Sequence, residues 1–346
     1  MTSVRSALLG AAAIRKDGIR MAPAVLTGAV AGVLTLLAIA LDDYPATLPL
    51  VIGAAFVGIA NLNGAADVRV RTMLWTLLWI TLGTLLGGTV ATWNVVEIAV
   101  VGVVGLAGGF AGAMGARALV TGVLAMVVYT VFSGTAMTFP DAIRAAALMA
   151  LGGGVMFVVA LVAILQRSGR AAFQRSEMRT SIMTRLRDHR HRDDVFFHHA
   201  VRLALALMAG TALANLLAWP HEYWIPMTIV WMTRPDSDGT VSRVTERILG
   251  TFVGIALSLL LIEVVSNSPI AIAIYTIIGT VLLLAFLQAN YPIAVSGISL
   301  IIVALFSLLG EPVLDTIAYR ATATVIAGVI TIAAAFLLWR MADRST

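Results

Sequence analysis

Polar residues break the chain into two long hydrophobic halves, roughly residues 20–166 and 199–340, on either side of one arginine-dense stretch. That stretch holds Arg167, Arg170, Arg175, Arg179, Arg185, Arg187, Arg190 and Arg192. Within each half, apolar runs of about 20 residues alternate with short polar turns, the length an α-helix needs to cross the hydrocarbon core. The first half predicts crossings near 21–41, 45–60, 70–90, 95–115, 117–136 and 141–166; the second near 200–218, 222–233, 246–265, 269–288, 291–309 and 314–339. Pro45, Pro140, Pro220, Pro269, Pro292 and Pro312 punctuate their starts, as prolines do at helix boundaries.

Landmarks recur in the same order in both halves. Arg20 and Arg202 open them, Pro49 and Pro226 fall in the second crossing of each, and Arg144 and Arg320 sit near the start of the sixth. The expected fold is therefore an all-α integral membrane protein of about twelve helices. It is built as two parallel six-helix repeats related by a pseudo-two-fold axis along the membrane normal, a common transporter design. The expected organisation is a cytoplasmic arm (1–20), a first repeat (21–166), a basic cytoplasmic linker (167–198), a second repeat (199–340) and a short tail (341–346).

Composition agrees: 60% of residues are hydrophobic, 12% charged, and mean hydropathy is +0.96. Twelve crossings take about 240 residues, which leaves no room for a large soluble catalytic domain. With no cysteine, disulfides, zinc thiolates and iron–sulfur clusters are excluded. The net charge of +5 matters less than where the charges fall. If both termini face the cytoplasm, the inner loops collect Arg69, Arg71, Arg117, the central linker, Arg234, Arg243 and Arg247. The outer turns carry Asp42, Asp43, Glu97, Glu222, Glu263 and Glu311, with only Arg144 and Arg320 against the trend. That asymmetry follows the positive-inside rule and argues against nucleic-acid binding. The linker reads either as a basic helix lying on anionic lipid or as a solvated hinge. The histidines at its end, His189, His191, His198 and His199, lack a recognised ligand pattern, so no metal is expected.

Candidate chemistry is sparse. Both second crossings are short and contain a proline, Pro49 or Pro226. Short, interrupted segments at matching places in two repeats point to a transport site, with tilt as the plainer explanation. Arg144 and Arg320 read either as a cation pair facing an anion pathway or as side chains that snorkel outward or pair with nearby acids. Arg202 and Arg247 read as topology anchors that also draw anions to the inner mouth. Tyr223, Trp224, Thr228 and Trp231 cluster on the eighth crossing, where Trp231 either stacks on a ligand or packs. Gly28 and Gly32, Gly83 and Gly87, and Gly250 and Gly254 have the spacing of close helix packing. No Walker loop, HExxH, Ser–His–Asp set or dinucleotide fingerprint occurs, so neither an enzyme nor a cofactor is expected.

The second half resembles the fusaric acid resistance, or aromatic acid exporter, family. The resemblance rests on Arg202, His221, Tyr223, Trp224, Thr228, Pro235, Gly239, Thr240, Arg243, Arg247, Gly250, Thr251 and Gly254, followed by Arg320 and Gly328. The first half matches more loosely, through Arg71, Gly83, Arg144 and Gly152. It implies an inner-membrane exporter of organic or aromatic carboxylates, assumed to be coupled to the proton gradient. In some relatives a periplasmic adaptor protein is a partner. Plant malate channels look similar in the membrane region, so a passive organic-anion channel is the alternative and a non-transporting scaffold a further one. The linker is shorter here than the cytoplasmic domains of the larger exporters, which puts adaptor docking in question. Expected partners are membrane lipids and a small organic anion.

Overall fold

The computed structural model describes residues 13–61, 64–91, 94–135, 137–168, 195–265 and 268–342. The described residues form twelve α-helices, with no strands. In chain order they are α1 (Met21–Ala40), α2 (Thr47–Ala60), α3 (Ala66–Val90), α4 (Asn94–Phe110), α5 (Ala116–Ser133), α6 (Phe139–Ser168), α7 (Val195–Leu217), α8 (Trp224–Met232), α9 (Ser237–Val265), α10 (Pro269–Phe286), α11 (Tyr291–Leu308) and α12 (Val313–Ala342). Among the described residues, nine segments are long and apolar enough to cross a membrane, which makes this the architecture of an all-α integral membrane protein. The exceptions are α2 and α8, which are too short, and α9, whose first turns carry Asp238, Arg243, Glu246 and Arg247. The expected linker lies almost wholly outside the described residues, as do the end of the tail and the first part of the N-terminal arm.

Burial is inverted relative to a soluble bundle. Large apolar side chains face outward, among them Val33, Leu37, Trp75, Leu78, Trp79 and Leu82, while many threonines lie inside. Trp75 and Trp79, four residues apart, are 58% and 49% exposed on one outward face of α3. Several inward threonines bond the carbonyl one turn back, as Thr35 does to Ala31 (2.9 Å) and Thr276 to Ile272 (2.9 Å), which lowers the cost of burying a hydroxyl. The glycine pairs sit where helices touch. Gly28 and Gly32 of α1 meet Ile277 of α10, and Gly83 and Gly87 of α3 lie against α5. Gly250 and Gly254 of α9 lie against α11. A Cβ on Gly87 would stand 2.6 Å from the Tyr129 carbonyl oxygen, and one on Gly250 2.5 Å from that of Pro292.

Helix neighbours recur six elements apart. In the first half α1 packs on α2, α2 on α6, and α3 on both α5 and α6; in the second α7 packs on α8, α8 on α12, and α9 on both α11 and α12. The halves meet through α1 against α10 and α4 against α7. At the latter contact Glu97, only 5% exposed, accepts a hydrogen bond from the Asn215 amide at 3.1 Å.

The short second helices are confirmed, but not the expected interruptions. Pro49 is the third residue of α2 and Pro226 the third of α8. The first four N–H groups of a helix have no partner within it, so proline there costs no hydrogen bond and leaves both helices unbroken. At 1.5 Å per residue α8 is about 13 Å long and α2 about 21 Å, against roughly 30 Å of hydrocarbon.

Candidate functional site

The site is built around α8. A tight turn leads into it, with Ala218 and His221 in the left-handed region (φ 49° and 59°), where histidine is tolerated better than most side chains. The turn folds His221 back onto the first residue of the helix, so that its ring stacks on Trp224 at 4.7 Å between centroids and 26° between planes. Phe306 of α11 meets both rings edge-on, 4.5 Å from His221 and 5.6 Å from Trp224. His221 Nε2 lies 4.0 Å from a Glu311 carboxylate oxygen. Burial pushes the His221 pKa below its usual value, with Glu311 pulling the other way.

Every residue of α8 except Trp231 is buried. Trp224, Thr228 and Trp231 fall at i, i+4 and i+7, and therefore on one face. An arginine stands at each end of that face. Arg320 of α12 is 2% exposed, with its guanidinium carbon 5.5 Å from the Trp224 ring centroid. Arg247 of α9 is fully buried, with its guanidinium carbon 6.0 Å from the Trp231 centroid. Arg247 Nη1 donates to the Tyr291 hydroxyl at 3.1 Å, and the Arg243 guanidinium carbon lies over the Tyr291 ring, 3.2 Å from its centroid. Phe56 of α2 reaches across from the first half to meet Trp231 edge-on at 6.4 Å.

Apart from that bond to Tyr291, the donors of Arg247 and Arg320 go without an acceptor among the described residues. Among the described residues, Nε and Nη2 of Arg247 and all three nitrogens of Arg320 have no hydrogen-bond partner, and neither does the Thr228 hydroxyl. No carboxylate among those residues forms an ion pair with either arginine; Glu246 pairs with Arg243 instead, at 3.3 Å. Guanidinium stays charged at every relevant pH. Burying one without a counter-charge costs several kcal/mol even after relaxation, and a cation over an aromatic face returns about 0.5–2 kcal/mol. The arrangement is thus charged, buried and, among the described residues, without a counter-charge.

The other sequence candidates fall elsewhere. Arg202 is buried in α7, where it donates to the carbonyl of Pro235 and to that of His198 (3.4 Å), tying the α8–α9 turn to α7. Arg144 is solvent-accessible, with a half-exposed side chain, and forms an ion pair with Asp43, not with Asp141 on its own helix. Its positional counterpart Arg320 is sealed in, so the structure does not place the two as a pair on one surface. Tyr223 is buried beside Trp224, their rings 6.0 Å apart. Pro49 lies buried in the first turn of α2, two turns before Phe56. Tyr291, Phe306 and Phe56 were not among the sequence candidates, because nothing in their local pattern separates them from core aromatics. Among the described residues, no group of acids and histidines could hold a metal.

Residues 205–334 match the family described as fusaric acid resistance protein-like. The resemblance of the second half is borne out over that stretch, which contains Tyr223, Trp224, Thr228, Trp231, Arg247 and Arg320; Pro49, Arg144 and Arg202 lie outside it. Among curated proteins, the chain is 32% identical over 176 residues to the inner membrane protein YccS of Escherichia coli K12, a match covering 48% of this chain and 24% of that one. An uncharacterized Synechocystis protein is 26% identical over 156 residues, covering 44% and 20% respectively. An uncharacterized Haemophilus influenzae protein is 26% identical over 143 residues, covering 41% and 20%. The chain thus spans about a quarter or less of the length of these relatives. No solved structure matches it.

Proposed function

We propose that this chain is a multi-pass inner-membrane transporter that exports small organic carboxylates along the arginine-bearing face of α8. One observation carries the reading: two buried guanidinium groups, beside Trp224 and Trp231 of a short apolar helix, have N–H donors with no acceptor among the described residues. A carboxylate matches the guanidinium fork geometrically and supplies the missing charge. The aromatic rings around both arginines suit an organic anion better than a hydrated inorganic one. The path runs where the second half meets the first, since α8 also packs on α5 and Trp231 meets Phe56.

The recurrence of helix neighbours supports two parallel repeats about an axis along the membrane normal. Arginine asymmetry supports cytoplasmic termini and a cytoplasmic linker. Inner-membrane placement follows the name of the Escherichia coli relative. Export follows the family description, because resistance to an acid implies its removal from the cell. The test is uptake of labelled benzoate into proteoliposomes at pH 8, measured against protein-free vesicles to subtract leakage of the neutral acid. Saturable flux is expected, reduced about tenfold or more by Arg247→Ala or Arg320→Ala, since a hydrogen bond to a charged group is worth about 1.5–3 kcal/mol. Flux no greater than in protein-free vesicles overturns the proposal.

A further inference from the structure

We propose that the chain holds a second anion site, an entry station in which a singly charged carboxylate is bound between Arg15 of the N-terminal arm and Arg243 of α9. The proposal rests on the transport reading above and extends it to a separate cavity.

The cavity comes first. Its volume is about 320 Å³, and Arg15, Arg243, Glu246, Asn290 and Tyr291 are in its lining. Small-molecule pockets run from about 300 to 1,000 Å³, so this one suits a small ligand. The N-terminal arm forms one wall and is tied in place through its backbone. The Arg15 N–H donates to the Ala289 carbonyl at 3.0 Å, and the Arg20 N–H to that of Ala285 at 3.1 Å. The Asn290 amide returns a bond to the Ala13 carbonyl at 3.1 Å. Gly18 sits so close to the α10–α11 turn that a Cβ on it would stand 2.8 Å from the Gln288 carbonyl oxygen.

Charge comes next. Arg15 is exposed at the rim and gives one N–H to the Gln288 carbonyl at 2.9 Å. Arg243 is largely covered; its Nη1 donates to Glu246 at 3.3 Å, while its Nε has no acceptor among the described residues. Two guanidinium groups against one carboxylate leave one net positive charge on the named walls. The first residues of α11 also line the cavity, at the positive end of that helix's dipole. One carboxylate completes this balance. The cavity also borders the arginines of the first site. The Arg243 guanidinium carbon lies over the Tyr291 ring, and the Tyr291 hydroxyl accepts from Arg247 at 3.1 Å. Tyr291 therefore faces the cavity and touches the buried Arg247.

A single cysteine reports on the cavity cleanly, because the chain has none of its own. Ala13 is exposed and lines the cavity; Ala65, just before α3, is exposed and is not in the cavity lining. The purified full chain carrying Ala13→Cys or Ala65→Cys is labelled with N-ethylmaleimide, a neutral reagent, at pH 7. Benzoate, its neutral analogue benzamide, or chloride at equal ionic strength is added. Benzoate should slow labelling of Ala13→Cys about threefold or more and leave Ala65→Cys unchanged; benzamide and chloride should do neither. Arg15→Gln and Arg243→Gln should each raise the half-effect concentration roughly fivefold or more. Arg15 lies on the exposed rim, so its variant decides the matter even if Arg243→Gln does not fold. Equal protection by benzamide, or equal slowing at both cysteines, overturns the anion site. If Ala13→Cys is unprotected while benzoate flux is saturable, this inference fails and the transport reading stands. If benzoate protects but is not moved, the proposed function falls and the role of entry station falls with it. If it neither protects nor moves, both fail.

Discussion

Replacing Arg320 with methionine should make the protein more stable and less active at once. The side chain is 2% exposed, its three nitrogens have no hydrogen-bond acceptor among the described residues, and its guanidinium carbon lies 5.5 Å from the Trp224 ring centroid. Methionine fills similar volume without charge. Exchanging buried ionic groups for apolar ones of similar size is often neutral or stabilising, by about 1–4 kcal/mol. The lost cation–π contact takes back roughly 0.5–2 kcal/mol. A net gain of about 1–2 kcal/mol remains, which corresponds to a rise of roughly 1.5–3 °C in midpoint for a chain of this size. The assay heats detergent-solubilised protein and follows the monodisperse fraction by size exclusion, alongside flux in proteoliposomes. Arg202→Met is the control with opposite sign. Its guanidinium bonds the Pro235 and His198 carbonyls, so removing it loses hydrogen bonds from a charged donor, worth about 1.5–3 kcal/mol. If Arg320→Met loses stability as Arg202→Met does, Arg320 is a structural group and the anion reading loses its support.

Three further outcomes are expected. Gly87→Ala and Gly250→Ala place a methyl group 2.6 Å and 2.5 Å from backbone oxygens of α5 and α11, and should each cost about 1–3 kcal/mol by forcing packed helices apart, read as a lower thermal midpoint. The Arg144–Asp43 pair is solvent-accessible, so a double-mutant cycle should give a coupling of about 0.2–1 kcal/mol, weakening with salt, and Arg144→Ala should leave anion flux unchanged. His221 has a lowered pKa through burial, so the unfolded chain takes up its proton first. Its contribution is present above the ordinary value of 6.5 and is lost as pH falls toward the depressed one; His221→Gln should flatten that part of the stability–pH profile measured by thermal scans.

The helix count and the shortness of the second helix in each half were legible in the chain, because hydrophobic run length reports directly on helices that face lipid. Boundaries were less so. The crossing expected at 246–265 begins at Ser237 as a helix, since polar first turns inside a protein look like loop when lipid exposure is assumed. Position-matching between the halves suggested Arg144 and Arg320 as partners. Equal places in a repeat do not ensure equal surroundings: Asp43 takes Arg144 at the surface, while Arg320 is covered by the turn and α8 that carry His221, Tyr223 and Trp224. The second arginine of the site, Arg247, read first as a topology anchor. Its neighbours Trp231 and Tyr291 come from α8 and α11, and Phe56 comes from the other half, contacts that no local pattern encodes.

The brevity of α8 also bears on voltage. A helix of nine residues leaves a barrier about 13 Å thick in a hydrocarbon layer of about 30 Å. If water or headgroups reach its two ends, most of the transmembrane potential falls across this one septum instead of the full bilayer. Each elementary charge carried across it then exchanges about 2.3 kcal/mol with the field per 100 mV. A cell interior held negative would therefore drive an organic anion outward with no other ion required.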